Sequence, residues 1–193
     1  MAKKISFPIT GNPEDDQVLI EDPLALTIGM LLDQQVPMSW AFRGPARLKE
    51  RLGGLDAGKI AAMGPDAVAA VFSEKPALHR FPGSMGKRTH ALCQYLVDHH
   101  GGDAAEVWTG AEDAEDLFAR VHALPGFGEE KSMIFIALLA KRFDLAPKGW
   151  EAVAGPFADP EPRSVADVGS EADLLDVRAW KKAKKAAGKT KQD

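Results

Sequence analysis

The segment Leu124-Pro125-Gly126-Phe127-Gly128 constrains the fold more than any other part of this sequence. It joins two stretches whose apolar residues have helical spacing, so it predicts a tight turn between two helices. Two glycines two residues apart, with a proline before the first, suit a backbone that approaches another group closely. The free N–H groups and positive dipole end of the second helix suit a phosphate. A simple packing corner between two helices explains the same spacing equally well.

The rest of the chain also predicts an all-α fold. No stretch alternates apolar and polar residues with β-branched enrichment, and good helix formers dominate. Asp22-Pro23 and Asp56 mark helix starts. The pattern further predicts a helix interrupted at Gly44-Pro45, Ser84 as the cap of the next long helix, and a last helix over about 170–185.

Composition excludes several classes of protein. The 193 residues are 45% hydrophobic and 27% charged, as in ordinary globular proteins. The single cysteine, Cys93, excludes a disulfide framework and a four-cysteine iron–sulfur cluster within this chain. No apolar run approaches the roughly 20 residues of a membrane helix, and the first residues lack the apolar segment of a secretory signal. We therefore expect a cytoplasmic, monomeric protein with no membrane partner.

The charge is unevenly distributed. Residues 178–193 hold seven basic residues and one acid, a net +6, whereas residues 1–177 hold 17 basic and 27 acidic residues, a net −10. Because non-specific binding to nucleic acid comes mainly from Lys and Arg, any nucleic-acid surface must be local. The basic end either attracts phosphates or is a solvated helix that frays into disorder.

Three segments in register carry a resemblance to a known family. The Leu124–Gly128 turn and its apolar helix resemble the helix–hairpin–helix of the HhH-GPD DNA glycosylases, base-excision repair proteins of the endonuclease III and 3-methyladenine glycosylase type. Leu31-Leu32-Asp33-Gln34-Gln35-Val36 resembles the end of that family's first core helix. Gly83-Ser84-Met85-Gly86-Lys87-Arg88 resembles its lysine-containing helix start.

The resemblance implies a two-lobed, all-α architecture. The helix–hairpin–helix domain would span residues 20–145, and residues 1–19 and 146–180 would pack together as the second lobe. Residues 181–193 would form a disordered, lysine-rich tail. Double-stranded DNA would cross the cleft, with the damaged base flipped into it.

The resemblance also assigns roles in DNA binding. Gln34 and Gln35 would lie in the loop that fills the gap left by the extruded nucleotide; a polar helix end before Pro37 is the alternative. Lys87 and Arg88 would contact phosphate or form a plain surface pair. The hairpin residues expected at the DNA are Gly126, Phe127, Gly128, Glu130 and Lys131.

A monovalent cation, K⁺ or Na⁺, is often held by hairpin carbonyls in the family. The matching carbonyls here are those of His122, Leu124 and Phe127. A site built from backbone carbonyls needs no particular side chains, so the sequence does not decide whether an ion binds here. No other cofactor is expected, and the cysteines of an iron–sulfur cluster are absent.

The family's catalytic residues are only partly present. Bifunctional members have a Schiff-base lysine where this chain has Glu130, so no AP-lyase activity is expected. Lys131 is adjacent, but successive helical side chains are rotated by about 100°. The family's catalytic aspartate would fall at residues 148–150, where none occurs. Glu151 and Asp144 are the nearest candidate carboxylates, and a plain surface position is the alternative for both.

Asp33 and Trp150 are the candidates for the base pocket. Trp150 would stack on a base or pack in the core, and Asp33 would recognise the base or simply end its helix. The sequence thus predicts a monofunctional DNA N-glycosylase. A non-catalytic DNA-binding or lesion-sensing protein that retains this fold is the main alternative, and a helical protein-interaction module is the third.

Overall fold

The described part of the chain folds into helices joined by loops and turns. A computed structural model describes residues 5–193, which contain no strand and no helix long and apolar enough to cross a membrane. The all-α fold predicted from the sequence is confirmed. The α-helices of these residues are α1 (Pro13–Glu21), α2 (Pro23–Leu32), α3 (Met38–Leu52), α4 (Ala57–Met63), α5 (Pro65–Ser73), α6 (Pro82–His100), α7 (Glu106–Thr109), α8 (Ala114–His122), α9 (Glu129–Leu138), α10 (Trp150–Ala154) and α11 (Glu171–Ala186). A π-helix, Leu139–Phe143, follows α9, and two 3₁₀ turns, Gly155–Ala158 and Val165–Asp167, follow α10.

Short polar side chains fix several helix starts. The Asp22 carboxylate accepts the N–H groups of Leu24 and Ala25 at 2.9 and 3.2 Å. Asp56 and Ser170 accept from the third residue of α4 and α11 in the same way. Each cap satisfies N–H groups that have no acceptor within the helix.

Helix α3 continues through Gly44-Pro45, where the sequence predicted an interruption. A proline inside a helix removes one N–H donor and costs about 3 kcal/mol. Gly44 and Pro45 are both buried, and an ideal Cβ on Gly44 would lie 2.5 Å from Cδ1 of Leu32. The close packing of α3 on α2 therefore keeps the helix continuous despite its proline.

Two other helix starts differ from the prediction. Helix α6 begins at Pro82, so Ser84 lies inside its first turn and does not cap it. Proline is favoured there because its missing N–H has no helical acceptor anyway. Helix α1 was not predicted, although Asn12, which accepts the N–H of Glu14, and Pro13 form an ordinary start signal.

The contacts divide the chain into two compact units. The 10–107 unit consists of Thr10–Val107 with Leu124–Gly126, and the 108–193 unit consists of residues 5–9, Trp108–Ala123 and Phe127–Asp193. Helices α8 and α9 pack with α10, so the contacts group them with the chain after residue 145, whereas the helix–hairpin–helix domain over residues 20–145 stays a prediction. Residues 1–4 of the predicted second lobe lie outside the described residues.

The core of the 10–107 unit is built around α2, of whose ten residues nine are buried. Helix α2 packs on α1 and α3, and α5 packs on α6. An ideal Cβ on Gly86 of α6 would lie 2.6 Å from Cα of Ala69 on α5. Helices α5 and α6 therefore meet backbone to backbone at this glycine.

The 108–193 unit has its core on α9. The Phe135 ring lies 6.0 Å from Trp108 in an edge-on arrangement and 5.6 Å from Phe127. At the other end of the unit, Phe7 and Phe143 make an edge-on contact at 5.9 Å. Aromatic rings from distant parts of the sequence thus close this unit around one helix.

Helix α11 extends to Ala186, so residues 181–186, which were expected to be disordered, are helical. Alanine and lysine are good helix formers, and lysines in a last turn complement the helix dipole. The Lys184 ammonium also lies 4.9 Å from the centre of the Trp180 ring. The indole N–H of Trp180 donates to the Glu161 carboxylate at 3.1 Å, which ties α11 to the rest of the 108–193 unit.

Cys93 provides a test of this packing. The side chain is fully buried on α6, and desolvation, with a smaller effect from Asp56, raises the pKa of its thiol to about 12. Because the thiolate is the reactive form, we expect native protein at pH 8 to react with a disulfide reagent about 10³-fold more slowly than a free thiol. Stopped-flow labelling with and without urea would measure this. Fast labelling of native protein would contradict the buried position.

Candidate nucleic-acid interface

Two glutamines follow the end of α2. The N–H of Asp33 donates to the Gly29 carbonyl at 3.1 Å, and the N–H of Gln34 donates to the Leu32 carbonyl at 2.7 Å. Gln35 has φ +57°, in the left-handed region that residues other than glycine rarely adopt, and it is exposed. Asp33 is half-buried at the helix end. This Gln34–Gln35 turn therefore places an exposed glutamine on a backbone of unusual conformation.

The tip of the hairpin lies against the same end of α2. Gly126 has φ +87°, and an ideal Cβ on it would lie 2.4 Å from Cδ1 of Leu31. Both the backbone conformation and the close approach require glycine. Two of the three segments on which the resemblance depends are thus neighbours within the 10–107 unit.

The third segment reaches the turn through Arg88. Its Nη1 donates to Oε1 of Gln34 at 2.8 Å, and the rest of the side chain is exposed. Lys87 has a different partner, because its ammonium lies 2.9 Å from the Asp66 carboxylate on α5. The hydrogen bond from Lys87 holds the pKa of that carboxyl below its usual value. Arg88 therefore belongs to the turn, while Lys87 is paired elsewhere.

His79 fixes the turn from inside the protein. Its Nε2 lies 3.1 Å from the carbonyl oxygens of both Leu32 and Gln34, and its Nδ1 accepts the N–H of Phe81 at 3.0 Å. Because Nδ1 is the acceptor, the network assigns the proton to Nε2. The residue is only 1% exposed. Sequence analysis missed His79, because its partners lie 45 and 47 residues away in the chain.

Two exposed aromatic rings flank His79. Trp40 is 39% exposed and Phe81 is 44% exposed, and their ring centres lie 6.5 and 6.1 Å from that of His79. The Arg80 guanidinium lies 5.3 Å from the centre of the Phe81 ring. Rings on which bases stack and arginines that meet phosphates are the usual parts of a nucleic-acid surface. An aromatic residue between an arginine and a proline was the available sequence signal for Phe81.

A small cavity joins these groups. Its volume is about 150 Å³, below the roughly 300 Å³ of the smallest ordinary small-molecule sites. The cavity is lined by Gln34, Gln35, His79, Phe81, Ser84, Met85 and Arg88. Its size and mixed lining fit a single planar group better than a whole metabolite.

The hairpin continues into α9 at Gly128. No side chain caps this helix start, and Ser132 Oγ donates back to the Gly128 carbonyl at 2.9 Å. Phe127 is buried, with the Lys131 ammonium 6.0 Å from its ring centre. Glu130, in the first turn of α9, is contacted by Lys191 and Gln192. The carboxylate in this first turn stabilises the helix but opposes a phosphate by charge.

The other hairpin residues have ordinary surroundings. Leu124 is buried, whereas His122 is exposed and stacks on Phe118, with ring centres 5.5 Å apart. Any role of this segment in ion binding would rest on its backbone carbonyls.

The candidate catalytic carboxylates lie in the 108–193 unit. Asp144 ends the π-helix with φ +56°, and Glu151 is in the first turn of α10; both are exposed. Trp150 is half-buried, and its backbone N–H donates to the Pro147 carbonyl at 3.2 Å. π-helical turns and non-glycine residues at positive φ are frequent at functional sites, which favours Asp144 on geometry.

One protein family matches this chain. Residues 28–192 match the family described as HhH-GPD superfamily base excision DNA repair protein. The matched range contains the Gln34–Gln35 turn, Arg88 and the hairpin. No curated protein gives a match.

Proposed function

The chain belongs to the HhH-GPD superfamily of base excision DNA repair proteins, and on this premise we propose that it is a monofunctional DNA N-glycosylase. It would hydrolyse the bond between a damaged base and its deoxyribose in double-stranded DNA. The observation that carries the proposal is the Gln34–Gln35 turn, in which Gln35 is exposed with a left-handed backbone and the neighbouring Gln34 is bonded to His79 and Arg88. An enzyme that acts on a base must extrude it, and an inserted side chain stabilises the extruded state.

Gln35 would fill the gap in the duplex, and the aromatic rings beside it would stack on exposed bases. Phe81 and Trp40 have the required exposure, and Arg88 and Arg80 supply positive charge next to them. The hydrogen bonds of His79 keep the Phe81 loop and the glutamine turn in a fixed relation. A surface that is ordered before DNA binds pays less entropy on binding.

The start of α9 would hold a phosphate with its backbone N–H groups. The side chain at the family's Schiff-base position is Glu130, which cannot form an imine, so the proposal includes no lyase step. A water molecule would attack the sugar carbon. Glu151 or Asp144 would accept the proton of that water or stabilise the positive charge that develops on the sugar.

A monovalent cation at the hairpin is part of the proposal. Neutral carbonyl oxygens, here those of His122, Leu124 and Phe127, suit K⁺ or Na⁺. The described residues contain no group of three His, Cys, Asp or Glu side chains that would instead hold a divalent metal. When bound, such an ion would add a positive charge beside the phosphate.

The test is release of free base from duplexes that carry uracil, hypoxanthine, an alkylated purine, oxidised guanine or mismatched adenine. We expect wild-type protein to release one of these bases. One of the variants Glu151→Gln and Asp144→Asn should lose about 10²–10⁴-fold in rate, the usual contribution of a general base. Chromatography of the released base measures this, and circular dichroism checks that the variants fold.

Gln35→Ala links activity to the turn. We expect about a tenfold lower kcat/KM, because extruding a base costs a few kcal/mol that the inserted side chain offsets. Gln17→Ala, at an exposed glutamine of α1, is the matched control and should leave the rate unchanged. Salt-sensitive binding of the duplex without any base release would contradict the glycosylase and favour the lesion-sensing alternative. The exposure of both candidate carboxylates, Glu151 and Asp144, agrees with that alternative. A protein that neither binds the duplex nor releases a base would contradict both the glycosylase and the lesion-sensing alternative.

A further inference from the structure

The last residues of the sequence fold back onto the first turn of α9. The Lys191 ammonium lies 3.2 Å from one oxygen of the Glu130 carboxylate, and Nε2 of Gln192 lies 3.4 Å from the other. Lys191 and Glu130 are each 39% exposed. We call residues 190–193, which make this contact, the clip.

The clip has its own internal structure. The N–H and Oγ1 of Thr190 donate to the Asp193 carboxylate at 2.6 and 2.8 Å, and the N–H of Gln192 donates to Oγ1 of Thr190 at 3.2 Å. These bonds close a tight turn of four residues. The turn fixes the direction in which Lys191 and Gln192 leave the backbone.

A mostly buried arginine ties the clip to the body of the 108–193 unit. Nη1 of Arg163 donates to the Lys191 carbonyl at 3.0 Å. The same guanidinium is paired with the Asp159 carboxylate at 2.8 Å and lies 5.2 Å from the centre of the Trp180 ring. Because Arg163 is only 9% exposed and multiply bonded, it holds the clip from a fixed position.

Glu130, the partner of the clip, lies at the helix end where a phosphate would bind. Glu130 is the second residue of α9, at the end of the helix that the proposed function assigns to a phosphate. A carboxylate there competes with a phosphate for the same N–H groups and repels it. An ammonium at 3.2 Å offsets this repulsion.

We propose that Lys191 is a positioning residue for DNA, which acts by neutralising Glu130 so that the start of α9 accepts a phosphate. The inference rests on the proposed function, since it assumes that DNA is bound there. Within the basic end of the chain, this role belongs to Lys191 alone. The other lysines of residues 181–189 are not needed for this task.

A double-mutant cycle tests the inference. Lys191→Ala, Glu130→Gln and the double variant of the full chain are titrated with a fluorescent 20-base-pair duplex at several salt concentrations. We expect Lys191→Ala alone to weaken binding about threefold, the size of a single charge effect at a helix end. In the Glu130→Gln background the same substitution should have no effect on affinity or on its salt dependence. Lys191→Arg, which keeps the charge, should bind as wild type does.

Lys185→Ala is the matched control, because it removes the same charge from an exposed position on α11. It should leave affinity unchanged. Equal weakening by Lys191→Ala in both backgrounds would mean that Lys191 contacts DNA directly, and tighter binding would mean that the clip blocks the site. Either result overturns the inference while leaving the proposed function intact. Wild-type protein that does not bind the duplex at low salt overturns both.

Discussion

Replacing Gly86 with alanine is expected to lower the free energy of unfolding by about 2 kcal/mol, although alanine is the better helix former. The new Cβ would lie 2.6 Å from Cα of Ala69 and 2.9 Å from its backbone nitrogen. A clash with backbone cannot be relieved by rotating a side chain, so α5 and α6 must move apart. Urea unfolding followed by circular dichroism measures the change.

Gly83→Ala is the control for this prediction. Gly83 lies three residues earlier on the same helix, and no atom comes within 4 Å of the ideal Cβ position. Alanine there should leave stability unchanged or raise it by up to about 1 kcal/mol. Equal effects of the two substitutions would show that α5 and α6 do not meet at Gly86.

His79→Ala is expected to cost about 3 kcal/mol of stability and to lower base release further than the stability loss explains. The substitution leaves the carbonyls of Leu32 and Gln34 and the N–H of Phe81 without their buried partner. Each such group costs about 1–3 kcal/mol when it stays buried and unpaired. Water that reaches these unpaired groups limits the total loss of stability. The Gln34–Gln35 turn is then no longer bonded to the Phe81 loop.

His99→Ala is the appropriate comparison, because His99 is exposed on α6. Its ring lies 4.3 Å from that of Tyr95 between centres, so the substitution should cost no more than about 1 kcal/mol. Both variants are assayed for base release at a temperature where unfolding curves show them to be folded. Full activity of folded His79→Ala protein would mean that the turn does not need this support.

Local signals in the sequence account for much of the fold. Asp22 and Asp56 cap the helices that they were expected to cap, because a cap involves atoms only two or three residues apart. The helical spacing of apolar residues was sufficient to predict an all-α chain. The same local reasoning failed at Pro45, where burial against α2 overrides the usual effect of proline.

In the candidate site too, the sequence identified residues but not their contacts. Gln34, Gln35, Arg88 and the hairpin glycines could be selected from the sequence because they lie in segments that resemble a family. Their contacts could not, since the bond from Arg88 to Gln34 spans 54 residues. Of the two neighbouring basic residues, only the tertiary structure shows that Arg88 joins the turn while Lys87 pairs with Asp66.

By itself, the sequence determined most of the helices and the segments that carry the family resemblance, because these depend on backbone preferences and on side chains close in the chain. Only the tertiary structure shows the contacts of His79, Phe81 and Lys191 on which their proposed roles rest. A buried histidine, an exposed aromatic ring and a lysine in a basic stretch acquire a function only from the groups beside them. Those groups are brought there by the packing of helices distant in sequence.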